Sequence, residues 1–350
     1  MRTVKLGNVE VGPGQAPYII AEIGSNHNGD MELCGRLIDA AAAAGAHAAK
    51  FQSWTDTSLI AEEEYLRNTE YSDKKRHFGS LRDMVKAYQL TPEQHREARA
   101  RCHARGIAFC SSAFSSEEVD LLDKLDVPFI KIASMDIVHL PLLRHVARTG
   151  RPVVISTGMA TLAEIEQAID TVRGEGNEQI ALLHCVSIYP PQYDTINLRN
   201  IAMLQQAFDV PVGFSDHTLG TAVPLAAIAL GACLIEKHFT LDQDMAGWDH
   251  AISANPAELG TIVKEGKNVF AALGSARRTV SNAELEKRLK FRRSLVARRA
   301  LRQGEPIAER DLDAKRPGTG IPPDQIARVL GRKLARDLKK DEVIHWQHLL

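Results

Sequence analysis

No CxxC pair occurs among the five cysteines of this 350-residue chain; Cys34, Cys102, Cys110, Cys185 and Cys233 are scattered, most of them inside apolar runs. That argues against a disulfide framework and suits reduced core thiols in a cytosolic protein. Charge of one sign is missing too. With 43 basic against 44 acidic residues and a formal net charge of -1, the chain shows no footprint for nucleic acid or an anionic membrane, so an anionic ligand must be held by local groups. No apolar run is long enough to cross a bilayer without a polar interruption. The first residues, Met1-Arg-Thr-Val-Lys-Leu-Gly7, lack the apolar core of a signal peptide, and a cytoplasmic location is expected. Nor does a GxGxxG turn follow the first strand-like run, which speaks against a doubly wound dinucleotide-binding sheet.

What is present is an alternation. A hydrophobic content of 44% supplies the core for one large domain or a large and a small one. Residues 4–17 carry Gly7-Asn8, Gly12-Pro13 and Gly14 between short apolar stretches, a hairpin pattern expected to plug one end of the large domain. Eight buried strand-like runs then alternate with helical patterns, at residues 18–23, 47–52, 106–111, 127–132, 152–156, 180–185, 210–214 and 232–236. Helix starts are marked by Thr91 before Pro92, Ser115, Thr161, and Asn255 before Pro256. Eight strands alternating with helices predict an α/β fold, a (β/α)8 TIM barrel over residues 1–275. Residues 276–290 read as a linker with some helix. Residues 291–350, with short β-like pieces between Gly and Pro turns and two similar motifs, Gln303-Gly-Glu-Pro-Ile307 and Lys339-Lys-Asp-Glu-Val-Ile344, read as a small β-rich domain. Such a segment is expected to have little core of its own and to lean on another surface, for instance a second subunit.

In such barrels the C-terminal rim carries the chemistry, and the strand ends here are polar. The first gives Glu22, costly inside a barrel unless paired or functional. The second gives Lys50 and Gln52 on one face, and the fourth Lys131 and then Ser134. Two lysines emerging from apolar strands suggest a bound anion; the alternative is a pair of structural ion pairs with Glu22 and Glu236. The fifth ends in Ser156-Thr-Gly-Met-Ala-Thr161, whose hydroxyls and backbone N–H groups can cradle a phosphate. The sixth gives His184-Cys185 and then Tyr189, either a phenol at the barrel mouth or an ordinary loop tyrosine. Of the 13 histidines, His95, His103 and His145 lie in helical patterns and read as solvated-face residues. His217 and His238 close the seventh and eighth strands. Spacing alone leaves open whether they ligate a metal or are core histidines bonded to Asp216 and Glu236, since no HxxxH or HExxH element fixes the geometry. As ligands they would be only two, so water and substrate oxygens would complete the shell, which favours exchangeable Mn2+, Mg2+ or Co2+ over a buried zinc. Asp249 comes soon after and can approach the same place.

The segments Ala21-Glu-Ile-Gly-Ser-Asn-His-Asn-Gly29, Lys50-Phe-Gln52, Ile130-Lys-Ile-Ala-Ser134, Ser156-Thr-Gly-Met159, Leu183-His-Cys185, Ser215-Asp-His-Thr218, Glu236-Lys-His-Phe-Thr240 and Asp249-His250 resemble, in order, the signature segments of the sialic acid synthase family. Residues 291–350, with Lys315-Arg-Pro-Gly-Thr-Gly320, are similar to that family's C-terminal antifreeze-like (SAF) domain. The resemblance implies condensation of phosphoenolpyruvate with N-acetylmannosamine or a related N-acyl amino sugar, to N-acetylneuraminate or a related nonulosonic acid and phosphate. It implies a divalent metal, Mn2+ foremost, on His217 and His238, and a catalytic Glu22. Lys50, Lys131, Ser134, Ser156 and Ser215 would surround phosphoenolpyruvate, with Gln52, Tyr189 and Asp249 near the sugar. Arg316 would reach the N-acyl end of a sugar in the partner's barrel, because the family's homodimer exchanges its small domains. Two residues depart from the common pattern, Ser187 for Asn and Trp248 for Pro, and keep a legionaminic- or pseudaminic-type substrate in view. A pyruvate-dependent aldolase would instead form a Schiff base on a lysine and release no phosphate.

Overall fold

The computed structural model describes residues 2–72 and 77–350; Met1 and residues 73–76, part of the polar insertion at 55–82, lie outside the described residues. The chain divides into two compact units, Met1–Gly274 and Ser275–Leu350.

The first unit is a barrel. Its strands are β1 (Tyr18–Gly24), β2 (Ala48–Ser53), β3 (Ala108–Ala113), β4 (Ile130–Ile132), β5 (Val153–Ser156), β6 (Ile180–Cys185), β7 (Val212–Asp216) and β8 (Leu234–His238), all parallel, closed by pairing of β8 with β1. Strands β3, β7 and β8 run two residues further than their apolar runs suggest. The ladder continues through Ser112, Ser215 and His238, polar residues that hydrophobicity alone leaves outside a strand. Alternation of side chains divides each strand between two cores. Ile19, Ala21, Phe51, Ile130, Ile155, Val212, Phe214 and Ile235 face the helices. Tyr18, Ile20, Ala48, Cys110, Phe129, Val154, Leu183 and Leu234 fill the lumen.

The N-terminal hairpin closes the lower end. Val4–Leu6 pairs antiparallel with Val9–Val11, and Val4, Leu6 and Val11 pack into the lumen cluster. Gly7, at φ +63, takes the first turn position in a two-residue loop, where L side chains are strained. Thr91, Thr161 and Asn255 each cap a helix through a reciprocal capping box, while Ser115 stands at a helix start without a side-chain cap bond. Among the described residues no helix is long and apolar enough to cross a membrane.

A lumen glycine sets the packing limit beneath the site. A Cβ on Gly213 would fall 2.4 Å from the Leu234 carbonyl oxygen, 2.6 Å from Leu234 Cβ and 2.8 Å from Leu183 Cδ2. Backbone on one side and a neighbouring strand on the other cannot yield cheaply. Gly213→Ala is therefore expected to destabilise the protein by about 1–3 kcal/mol, read as a lower urea midpoint at unchanged slope.

The second unit has a core of its own, contrary to the expectation of little core. Leu295, Leu301, Ile307, Leu312, Ile321, Val329, Leu334, Leu338, Ile344 and Leu349 form one buried cluster. The two similar motifs explain how short pieces achieve this. Glu305 accepts from Arg302 N–H at 2.9 Å and Glu342 from Lys339 N–H at 2.8 Å; Arg299 pairs with Glu305 and Arg336 with Glu342. Leu301 bridges Leu338 antiparallel, so each half delivers its isoleucine, Ile307 or Ile344, to the shared core. The stretch expected as linker contains the helix Asn282–Phe291, which belongs to this unit.

Candidate active site

Charged and polar residues crowd the upper lumen, where each strand turns the last side chains of its inward face. Glu22 on β1 is the register partner of both Lys50 on β2 and His238 on β8. Its Oε2 lies 2.8 Å from Lys50 Nζ and its Oε1 accepts from Gln52 Nε2 at 2.8 Å, so the carboxylate is held by two donors. Burial pushes the Glu22 carboxyl up to about 7; Lys50 pulls it down and Glu236 pushes it further up. Lys50 Nζ also reaches Ser112 Oγ at 3.2 Å and Glu236 Oε2 at 3.7 Å. Burial alone would lower the Lys50 ammonium, but Glu22 and Glu236 outweigh it and hold its pKa above the ordinary value.

Lys131 is different. Among the described residues no carboxylate comes within ion-pair distance of it; Nζ donates to the Ile132 carbonyl at 2.9 Å and to Ser156 Oγ at 2.6 Å. Burial pushes its pKa down. The alternative of two structural ion pairs therefore fits Lys50 alone. Beside Lys131, Gly158 N–H donates to Ser134 Oγ at 3.1 Å and Lys131 to Ser156 Oγ, which leaves the Ser156 hydroxyl proton available while that of Ser134 is turned to Cys185. A Cβ at Gly158 would fall 2.2 Å from Ser187 Oγ and 2.7 Å from Ser134 Oγ, so a side chain there would push both hydroxyls out of their present positions. Ser215, by contrast, donates to Glu236 Oε1 at 3.0 Å.

His217 and His238 stand with ring centroids 5.4 Å apart, and the Tyr189 ring lies 4.1 Å from that of His217 and 6.0 Å from that of His238. His217 donates from Nδ1 to the Val186 carbonyl at 2.9 Å, which fixes the ring; burial lowers its pKa, but hydrogen bonding to Cys185 and that thiol's charge hold it above the ordinary value, so Nε2 must release its proton before it can take an ion. His238 is buried, its Nδ1 has no hydrogen-bond partner among the described residues, and Asp249 Oδ2 is 3.6 Å from that nitrogen. Burial, with the nearby His217 and Lys50 charges, holds the His238 pKa well below its ordinary value and keeps it a neutral lone-pair donor. Two imidazoles at this separation fit a divalent ion once His217 has released its Nε2 proton. Among the described residues no group of three or more His, Cys, Asp and Glu is arranged to hold one, so water and substrate would have to supply the other ligands. Burial pushes the Asp249 carboxyl up to about 6.

Three features escaped the sequence reading. Ser112 meets Lys50 without a sequence signal, being a serine inside a strand, whereas Glu236 meets it in the ion pair that was the stated alternative. Cys185, grouped with core thiols, points into the upper lumen. Burial raises its pKa, but hydrogen bonding to His217 and Ser134 and the Lys131 charge leave it below the ordinary value. His95, expected on a solvated face, is buried, with its ring nitrogens at 2.8 Å from the Thr91 carbonyl and 2.7 Å from Ser53 Oγ. Arg316 lies in the second unit, its guanidinium 5.0 Å from the Phe291 ring centroid.

Residues 37–278 match the NeuB family and residues 292–350 the SAF domain. The chain belongs to the NeuB family. Among its NeuB relatives, the N,N'-diacetyllegionaminic acid synthase of Legionella pneumophila is 39% identical over 343 residues, 97% of this chain and 96% of that one. The human N-acetylneuraminate-9-phosphate synthase is 34% identical over 335 residues, 95% of this chain and 92% of that one. The crystal structure of N-acetylneuraminic acid (sialic acid) synthetase from Leptospira borgpetersenii, in complex with citrate, superposes with a TM-score of 0.74 at 34% identity, covering 82% of this chain and 95% of that one. A NeuB barrel joined to a SAF domain is an enzyme architecture, and the (β/α)8 fold expected from the strand count is the one observed.

Proposed function

We propose that this enzyme condenses phosphoenolpyruvate with the open-chain form of an N-acyl amino sugar, N-acetylmannosamine being the reference substrate, to give a nonulosonic acid and phosphate. The observation that carries this reading is Lys131: a buried ammonium with no carboxylate in ion-pair contact among the described residues, beside the hydroxyls of Ser156 and Ser134. Glu236 offsets that charge only from beyond ion-pair contact, which is costly in a buried site, and an anion with several oxygens resolves it. Lys131, Ser134 and Ser156 would take the phosphate, and Lys50 the carboxylate. Ser215 would join them by turning its hydroxyl away from Glu236.

A divalent ion on His217 and His238, Mn2+ foremost, would polarise the sugar aldehyde. Carbon 3 of the enol phosphate then attacks that aldehyde, and water adds at carbon 2. Glu22, ionised and steered by Gln52 and Lys50, would take one proton of that water and pass it to the oxygen of the former aldehyde; the other would leave with phosphate as carbon 2 becomes a ketone. Tyr189, Asp249 and Gln52 line the side of the site left for the sugar. Arg316 would complete it from a partner subunit, in a homodimer that exchanges its small domains.

The relatives named for legionaminic acid synthesis and the exposed Trp248 beside Asp249 support a second substrate, a legionaminic-type amino sugar. A stacking indole and a short Ser187 would suit a bulkier or less polar acyl group.

The test is phosphate release with phosphoenolpyruvate and a panel of N-acyl hexosamines, with and without Mn2+, followed by mass analysis of the product. One phosphate per nine-carbon acid, abolished by EDTA, is expected. Borohydride should trap no pyruvate adduct, Lys131 being the lysine to inspect because Lys50 is held protonated. A trapped adduct without phosphate release would make the enzyme an aldolase. Lys131→Met is expected to raise the KM for phosphoenolpyruvate by roughly 10- to 100-fold, the weight of a charge-assisted hydrogen bond. An unchanged KM in initial-rate kinetics would remove Lys131 from the anion site.

A further inference from the structure

Strands β7 and β8 carry a second pair of charges, on the face turned away from the lumen. Asp216 precedes His217 and Lys237 precedes His238, and the two are register partners across the strands. Both are buried, each 1% exposed. Lys237 Nζ lies 2.8 Å from Asp216 Oδ2 and donates as well to the backbone carbonyl of Thr218. The other oxygen, Asp216 Oδ1, accepts from Thr218 N–H at 2.9 Å. The residue after His217 thus has both its backbone polar groups held, one by each member of the pair.

A buried ion pair adds little net stability, because desolvation offsets most of the Coulomb gain, and apolar residues of similar volume would pack there as well. What it adds is directed bonding. His217 is fixed through its ring by the Val186 carbonyl and through its chain by the pinned Thr218. His238 comes directly after Lys237, and its carbonyl accepts from Ala254 N–H at 2.7 Å. One ion pair therefore ties together the two backbones from which the imidazoles project.

We propose that Asp216 and Lys237 act as a clamp behind the barrel wall that sets the spacing of His217 and His238, making both positioning residues for the divalent-ion site. The inference rests on the reading that the two histidines hold that ion. Outer partners of metal ligands commonly govern affinity by 10- to 100-fold, and here the control would act through strand register and one pinned peptide.

The test measures Mn2+ binding to the full chain from the free-ion EPR signal, beside the thermal midpoint. The proteins are wild type, the double variant Asp216→Asn/Lys237→Met and the control His217→Ala/His238→Ala. The clamp predicts that the double variant melts within a few degrees of wild type while its Kd for Mn2+ rises about 10- to 100-fold. A Kd within about twofold of wild type overturns the clamp and leaves the histidine site standing. Wild type and control binding Mn2+ equally would overturn the histidine reading itself, and the clamp with it. Should the double variant fail to fold, Asp216→Asn alone decides: it keeps volume and an acceptor for Thr218 N–H but turns an N–H donor toward Lys237 Nζ, which breaks the cross-strand tie, and a Kd matching wild type rejects the clamp.

Discussion

Glu22→Gln is expected to lower kcat by about 10²- to 10⁴-fold while leaving the KM values for both substrates within a few-fold, the range for loss of a general base. Glutamine preserves size and one acceptor for Gln52 but accepts no proton. The Lys50 ammonium would still face Glu236 at 3.7 Å, so the site should not collapse for want of a counter-charge. The pH profile supplies a separate check. Burial raises the Glu22 carboxyl to about 7, and a base must be ionised to act, so kcat/KM should fall as pH drops below about 7. The variant's residual activity should lack that limb. Near wild-type turnover in Glu22→Gln, or an identical acid limb in both proteins, would place the proton transfer elsewhere.

The barrel was readable because its strands are short apolar runs and its helices begin at residues with a physical reason to begin them. Thr91, Thr161 and Asn255 accept the N–H bonds that their chemistry predicts. Strand ends were less readable. Apolar content falls where the lumen becomes polar, so β7 was expected to stop at residue 214 although its ladder includes Ser215 and Asp216. Glu22, Lys50 and Lys131 stood out because a charge beside branched apolar residues is conspicuous. Which charge meets which partner was not visible. Among the described residues Lys50 has two carboxylates in ion-pair contact and Lys131 has none, a distribution set by barrel closure, which pairs β8 with β1 and brings Glu236 toward Lys50. The same holds for His95, whose helical pattern gave no sign that Ser53 would meet it.

His238→Ala is expected to cost about a thousandfold or more in phosphate release at saturating Mn2+, the several kcal/mol that carbonyl polarisation by a bound cation contributes. His238 is a cleaner probe than His217. Truncating His217 would also free the Val186 carbonyl and remove the ring against which Tyr189 packs. The His238 ring has no hydrogen bond at Nδ1 to lose, and its burial keeps it neutral, so alanine there orphans no charge. The thermal midpoint without added metal should therefore fall modestly, by the cost of a small cavity. Stabilisation by Mn2+ should disappear altogether, since an ion that no longer binds the folded state cannot raise its melting temperature. Wild type and His238→Ala should then differ most at high Mn2+ and least in EDTA, where both lack the ion. A variant that keeps a tenth of wild-type activity, or that melts higher with Mn2+ as wild type does, would show that His238 is not a ligand.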